Sequence, residues 1–358
     1  MALTTSRNKL QITQVERLGL IKAPTPFERM PRLEAELDGP QLFVKRDDLT
    51  PLAMGGNKVR HLDYMLVEAK KRHADVVVAA CGLQSNWARQ TIGAATTLGM
   101  KTVLVLRTAQ FKRKPTIYDG NILLDHILGA DINVVNMRMT DDPRQIMESV
   151  AERLRKKGHN PYIVPDSHTT LARGVVSYFD AMKEIAEQAR AFRVKLDVIV
   201  VAVGGGVTQS GLMLGSKVYG MKTKVIGVLT GASDKKVITN SILETSAEAA
   251  RLLGLETRLS SNDIKLLDDY EGEDYGTLTK EAREAIILVA RKEGLLLDPV
   301  YTSKAMAALI GMTRDGELAK GQNVCFLHTG GVPALFAYSK YFQPSSARKM
   351  KALRRQAR

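Results

Sequence analysis

The chain has 358 residues, 44% hydrophobic and 25% charged, which excludes disordered, collagen-like and fibrous classes and fits one large domain or two intimate ones. No run approaches the ~18 uninterrupted apolar residues of a membrane span, and two distant cysteines, Cys81 and Cys325, exclude a disulfide framework and imply a reducing, cytoplasmic setting. An excess of 52 Lys and Arg over 38 Asp and Glu, +14 in all, permits an anionic partner.

In chain order, the first twenty residues hold no apolar core of signal-peptide length. Glu16 interrupts them, and Arg7, Lys9 and Arg17 give only a faint transit-peptide pattern. Val59, Leu62, Leu66 and Ala69 are spaced as one face of a helix. Short β-branched runs at 76–80, 102–106, 132–135, 162–164, 198–203, 224–229 and 324–327 read as strands buried on both faces. A helix over 87–98 follows the first. Asp142 and Pro143 start another, Ile146, Val150 and Leu154 continue it, and Gly158 stops it. Residues 233–262 are undecided between a surface helix and a loop, and 281–292 is a helix ended by Gly294. Strand and helix alternate from end to end, which predicts an α/β fold with parallel sheets. Residues 345–358 hold six basic and no acidic side chains and read as a solvated tail.

Three loops could carry chemistry. Gly55-Gly56-Asn57-Lys58 sits just before a helix. Taken alone, its plainer reading is a surface lysine after a loop. However, a cation at the positive end of a helix dipole is poorly placed, and a lysine with a lowered pKa can form a Schiff base. Gln84-Ser85-Asn86 opens the helix over 87–98. Ser85 and Asn86 suit a plain cap, and the same free N–H groups can also hold a carboxylate. Gly204-Gly205-Gly206-Val207-Thr208 joins a strand to a helix and suits one phosphate. It is no P-loop, and the third glycine of a dinucleotide fingerprint is Gln209. The six histidines show no metal spacing, so no metal is expected. His328 reads as a structural histidine. A lysine, a single-phosphate cradle and a carboxylate-binding helix start are together what pyridoxal 5′-phosphate acting on an amino acid requires. A nicotinamide enzyme and a nucleic-acid binder using the tail are the competing readings. No zinc-finger spacing or aromatic RNA-binding run favours the latter.

Pro24-Thr25-Pro26-Phe27-Glu28, Val44-Lys45-Arg46-Asp47-Asp48, Gly55-Gly56-Asn57-Lys58, Gln84-Ser85-Asn86, Leu297-Asp298-Pro299-Val300-Tyr301 and His328-Thr329-Gly330-Gly331 resemble the D-cysteine desulfhydrase / 1-aminocyclopropane-1-carboxylate deaminase family. That resemblance implies the two-domain, open twisted parallel-sheet fold of type II pyridoxal phosphate enzymes, and a homodimer. It assigns residues 1–57 plus 167–344 to a large cofactor-binding domain and 58–166 to a small α/β domain. It makes Lys58 the Schiff-base lysine and proton-transfer base, with Asn57 beside it. Asn86 holds the cofactor ring, and Gly204 to Thr208 hold the phosphate. Ser85 and Asn86 hold the substrate carboxylate, and Tyr301 and Tyr275 stand over the substrate.

Thr302 and Thr329 occupy the positions where cyclopropane-opening deaminases carry Glu and Leu, which is the desulfhydrase-like choice. A hydroxyl leaves the pyridine nitrogen a weaker electron sink than a carboxylate would. The implied reaction is α,β-elimination of a β-substituted amino acid, D-cysteine first. The deaminase and a lyase for another substrate such as cysteate are the alternatives. The chain departs from the family at Trp87 and at Pro165-Asp166-Ser167-His168. There His168 and Asp166 either read a larger polar side chain or form an ordinary Asp/Ser turn.

Overall fold

The computed structural model describes residues 12–108, 118–231 and 234–343. β1 (Phe27–Arg29), α1 (Pro31–Leu37), β2 (Gln41–Arg46), α2 (Lys58–Met65) and α3 (Val67–Lys71) come first. Then β3 (Val76–Gly82), α4 (Asn86–Thr97), β4 (Lys101–Arg107), α5 (Gly120–Ile127), β5 (Asp131–Val135), α6 (Arg144–Lys156) and β6 (Pro161–Ile163) alternate. α7 (His168–Ala191), β7 (Val198–Val203), α8 (Val207–Val218), β8 (Lys224–Leu229), α9 (Lys235–Leu252), β9 (Lys265–Leu267), α10 (Lys280–Glu293), α11 (Thr302–Arg314), β10 (Asn323–His328) and α12 (Ala334–Ala337) complete the order.

The strands sort into two sheets, β5-β4-β3-β6 and β1-β2-β10-β7-β8-β9. Among the described residues, β1 with β2 is the one antiparallel pairing. Successive side chains of a strand point to opposite faces. In β7, Val198, Val200 and Ala202 therefore enter one core, with α10 and α11, while Ile199, Val201 and Val203 enter another, with α7 and α8. β3 divides in the same way: Val77, Ala79 and Cys81 face α4, and Val76 and Val78 face α6. Helices on both faces are why these runs are apolar throughout. The sheets are drawn from different stretches of chain. The smaller uses residues 76–163, and the larger joins β2 to β10 and β7. Helix α2 packs against α7 and α4, so Lys58 stands at the seam.

All seven strands anticipated from the sequence are present. β2 was missed because its apolar stretch runs into Lys45 and Arg46. Lys45 is nevertheless fully buried, held by the Thr25 carbonyl at 2.7 Å and by Glu184. Arg60 of α2 joins this cluster, with 2.9 Å bonds to Asp47 and 3.0 Å bonds to Glu184. Burial alone would raise the Asp47 carboxyl, but Arg60, Lys45 and the Tyr178 hydroxyl together outweigh it and hold it below its ordinary value. Charges paired this fully tolerate an interior position, and removing one partner strands the other. The helix anticipated over 59–69 breaks at Leu66, where ψ is near 1°. The undecided stretch is α9, started by Asp234, whose carboxylate accepts from Lys236 N at 2.7 Å and Val237 N at 3.2 Å. The basic tail at 345–358 lies outside the described residues. Among those described, no helix is long and apolar enough to cross a membrane.

Candidate active site

The carboxyl ends of β7 and β10 in one sheet and of β3 and β6 in the other open toward a common cleft, the usual place for ligands in open α/β sheets. One cavity there is lined by Asn57, Lys58, Asn86, Trp87, Gly204, Gly205, Gly206, Val207, Thr208, Tyr301 and Thr329. These residues come from five separate stretches of sequence. Pro165 and Leu171 border the cavity, and α2 adds His61 and Met65.

Lys58 is the first residue of α2. The residue as a whole is half-buried, and its amine makes no hydrogen bond among the described residues. Loss of water around it lowers its pKa to about 8. The loop before it is fastened from two sides. Arg89 of α4 donates to the carbonyls of Ala53 and, at 3.1 Å, of Gly55. Asn57 N donates to Thr329 O at 3.1 Å. The two loops meet at glycines: a Cβ on Gly330 would lie 2.8 Å from the Gly56 Cα, so no larger residue fits there.

Asn86 is held by its amide oxygen, which accepts from Asn121 Nδ2 at 2.9 Å and Arg89 Nη2 at 3.4 Å. Its Nδ2 is left to donate to a ligand. Across the cleft, Gly206 caps α8 with φ +85°, a left-handed conformation that suits glycine. Where a Cβ would sit on Gly204 or Gly205, no protein atom comes nearer than 3.9 Å. The first N–H groups of α8 therefore border an open concavity suited to an anion. Asn57 Nδ2 donates to Thr208 Oγ1 at 3.0 Å, and His61 Nε2 lies 3.1 Å from the same oxygen.

Tyr301 lines the cavity, and its hydroxyl lies 2.7 Å from that of Tyr275, which stands behind it. Burial raises both phenols well above their ordinary pKa, so both stay protonated.

An amine with a lowered pKa, an open anion-binding turn and a fixed amide donor between them fit the aldehyde, phosphate and ring hydroxyl of pyridoxal phosphate. A model of the family described as "Pyridoxal-phosphate dependent enzyme" matches residues 19–330. The chain belongs to this family. Among curated relatives of this pyridoxal-phosphate dependent enzyme, a D-cysteine desulfhydrase of Klebsiella pneumoniae is 37% identical over 91% of this chain and 97% of its own. A 1-aminocyclopropane-1-carboxylate deaminase of Methylobacterium nodulans is 35% identical over 93% and 99%. A crystal structure described as an "ACC deaminase homologue" superposes with a TM-score of 0.82 at 36% identity, covering 92% of this chain and 95% of that one.

Four sequence-expected residues lie off the cavity surface. Ser85 is buried, and its hydroxyl caps α4 by accepting from Ala88 N at 3.3 Å. Tyr275 does not line the cavity and meets it through the Tyr301 hydroxyl. Thr302 is fully buried behind the lining, with its hydroxyl 2.7 Å from both Asp298 Oδ1 and Asp298 N. It therefore does not offer that hydroxyl to the cofactor as expected. His168 is a second correction. Its ring is 73% exposed and turned to Glu244 at 3.8 Å. Asp166 and Ser167 form the ordinary Asp/Ser turn, with Ser167 Oγ donating to Asp166 and accepting from Thr170 N. Pro165 and Leu171 border the cavity in their place. His328 is structural: its Nε2 bonds Leu296 O at 3.0 Å, and its Nδ1 accepts from Gly330 N at 3.2 Å. Sequence reading missed His61, although its spacing of three from Lys58 puts it on the same helical face.

Proposed function

We propose that the enzyme eliminates the β-substituent of an amino acid, with D-cysteine and one water giving pyruvate, hydrogen sulfide and ammonia. The observation that carries this reading is that no carboxylate lines the cavity among the described residues. When bound, the cofactor would supply an electron sink for the negative charge that develops at Cα. A carboxylate beside its ring nitrogen would deepen that sink by favouring the protonated ring. Expulsion of sulfide, a good leaving group, makes a smaller demand on the sink than opening a cyclopropane ring does.

The chain's own groups divide the work. Lys58 Nζ, poised near neutrality, takes the Cα proton. The amides at the start of α4 face the substrate carboxylate. Tyr301, kept protonated and hydrogen-bonded to Tyr275, donates toward the departing sulfur.

A panel of D-cysteine, L-cysteine, D-cysteate and 1-aminocyclopropane-1-carboxylate tests this. Sulfide and pyruvate should appear in equal amounts, fastest from D-cysteine. A four-carbon keto acid formed faster from the cyclopropane substrate would replace the proposal with the deaminase. Sulfite release would replace it with the cysteate lyase.

A further inference from the structure

A phosphate monoester carries up to two negative charges near neutral pH. Lys58 and His61 are the side chains that can carry a positive charge on the cavity surface among the described residues. In pyridoxal phosphate chemistry the lysine is engaged with the cofactor's aldehyde. His61 is then the remaining lining side chain, among the described residues, that can add a full positive charge to the partial charge of the α8 N–H groups.

Hydrogen-bond capacity fixes which ring nitrogen has to carry a hydrogen. A hydroxyl has one hydrogen and two lone pairs. Asn57 Nδ2 fills one lone pair of Thr208 Oγ1, and His61 Nε2 is the other neighbour. If Nε2 is bare, Thr208 gives its hydrogen to the ring and has none for a ligand. If Nε2 carries a hydrogen, it fills the second lone pair, and the Thr208 hydrogen is free to turn toward the Gly204–Val207 turn.

We propose that His61 takes up one proton when the cofactor's phosphate binds, donates through Nε2 to Thr208, and thereby aims the Thr208 hydroxyl at the phosphate. His61 is a positioning residue in this scheme, acting through Thr208. Its surroundings are set to respond. On α2 itself it has Lys58 and Arg60 as cationic neighbours. From α7, Tyr178 meets it edge-on at 5.4 Å, and α8 presents Thr208. Asp47 and Glu184 neutralise Arg60, and the Tyr178 hydroxyl donates to Asp47. Without an anion, burial and the two cations hold the ring neutral, its pKa well below the ordinary value. An arriving dianion reverses that balance.

The test uses the full chain freed of cofactor and pyridoxine 5′-phosphate, which keeps the phosphate and lacks the aldehyde. Trp87, the single tryptophan, lines the cavity and reports binding by its fluorescence. Dissociation constants are measured from pH 6 to 9 for the wild type and His61→Gln. Binding that takes up a proton weakens as pH rises. The ligand's own ionisation is common to both proteins and cancels in their ratio. The variant should bind more weakly at pH 6. Its disadvantage should shrink by up to about tenfold per pH unit and vanish by pH 9. A ratio constant across this range would overturn the proposal. Calorimetry on both proteins in two buffers of different ionisation enthalpy gives a second reading. Lys58 is free in this complex and titrates near pH 8 in both proteins, so the reading is the difference between them: a greater proton uptake at pH 7.5 by the wild type than by His61→Gln is expected, and equal uptake would overturn the proposal.

Discussion

Lys58 is where burial has the largest chemical consequence. With its pKa at about 8, about a tenth of the amine is neutral at pH 7, against roughly 0.03% for a lysine of ordinary pKa. That is a reactivity advantage of roughly 300-fold before access is considered. Trinitrobenzenesulfonate applied to the cofactor-free chain should therefore modify Lys58 first, with a rate that levels off above about pH 8. Lys304 is the internal contrast. Burial lowers its pKa to about 8 as well, but its amine is fully enclosed, donating to Thr230 O at 3.0 Å and to Glu271 O, so it should stay unmodified. The same desolvation opposes folding. Between about pH 8 and 10.5 the unfolded chain holds a proton that the folded amine has lost, so stability rises with pH across that window. Lys58→Met should be more stable than the wild type by about 3 kcal/mol below pH 8, a gain that fades toward pH 10.5. Peptide mapping of the label and urea denaturation at pH 7 and 10 measure the two effects. Labelling of Lys58 that still climbs tenfold per pH unit through pH 10, with no gain in stability at pH 7, would refute the reasoning.

Four further outcomes follow from the structure. Gly206→Ala must hold alanine at φ +85° with its Cβ 2.6 Å from Ile242 Cγ1, and should lose about 2–4 kcal/mol in denaturant titration. Gly205→Ala meets nothing within 4 Å, and should keep its melting temperature while binding the phosphorylated cofactor more weakly by absorbance titration. Tyr275→Phe removes the hydroxyl 2.7 Å from that of Tyr301; turnover should fall while cofactor affinity holds, with about 1 kcal/mol lost in stability. Asp125 is buried in α5, neither carboxylate oxygen is hydrogen-bonded among the described residues, and burial raises its pKa to about 8. The folded chain keeps a proton that the unfolded chain loses above about pH 4, so wild-type stability declines between about pH 4 and 8. Asp125→Asn should gain relative stability from pH 5 to pH 8, and parallel pH curves for the two proteins would show that Asp125 is ionised in the fold.

Much of the site was legible because its chemistry is local. Gly204 to Thr208 joins a strand that ends in place to a helix that begins in place, so spacing alone revealed an anion turn. Gly55 to Lys58 showed its helix start in the same way. Two of the three misses depended on neighbours remote in sequence. His168 looked available, but α7 begins at it and turns the ring toward α9. Thr302 looked like a ligand to the ring nitrogen, but Asp298, four residues earlier, engages its hydroxyl. β2 was hidden by Lys45, whose burial depends on Glu184.

The sequence by itself determined the alternation of strands and helices, the two-sided burial of each strand, and the three loops that carry chemistry. These depend on period, propensity and turn residues within a few positions of one another. Only the tertiary structure decided that Lys58, Asn86, Thr208, Tyr301 and Thr329 share one cavity, that His61 joins them, and which hydroxyls remain free. A hydrogen bond or a lowered pKa depends on distances of a few ångströms between segments hundreds of residues apart, and periodicity along the chain carries no record of those distances.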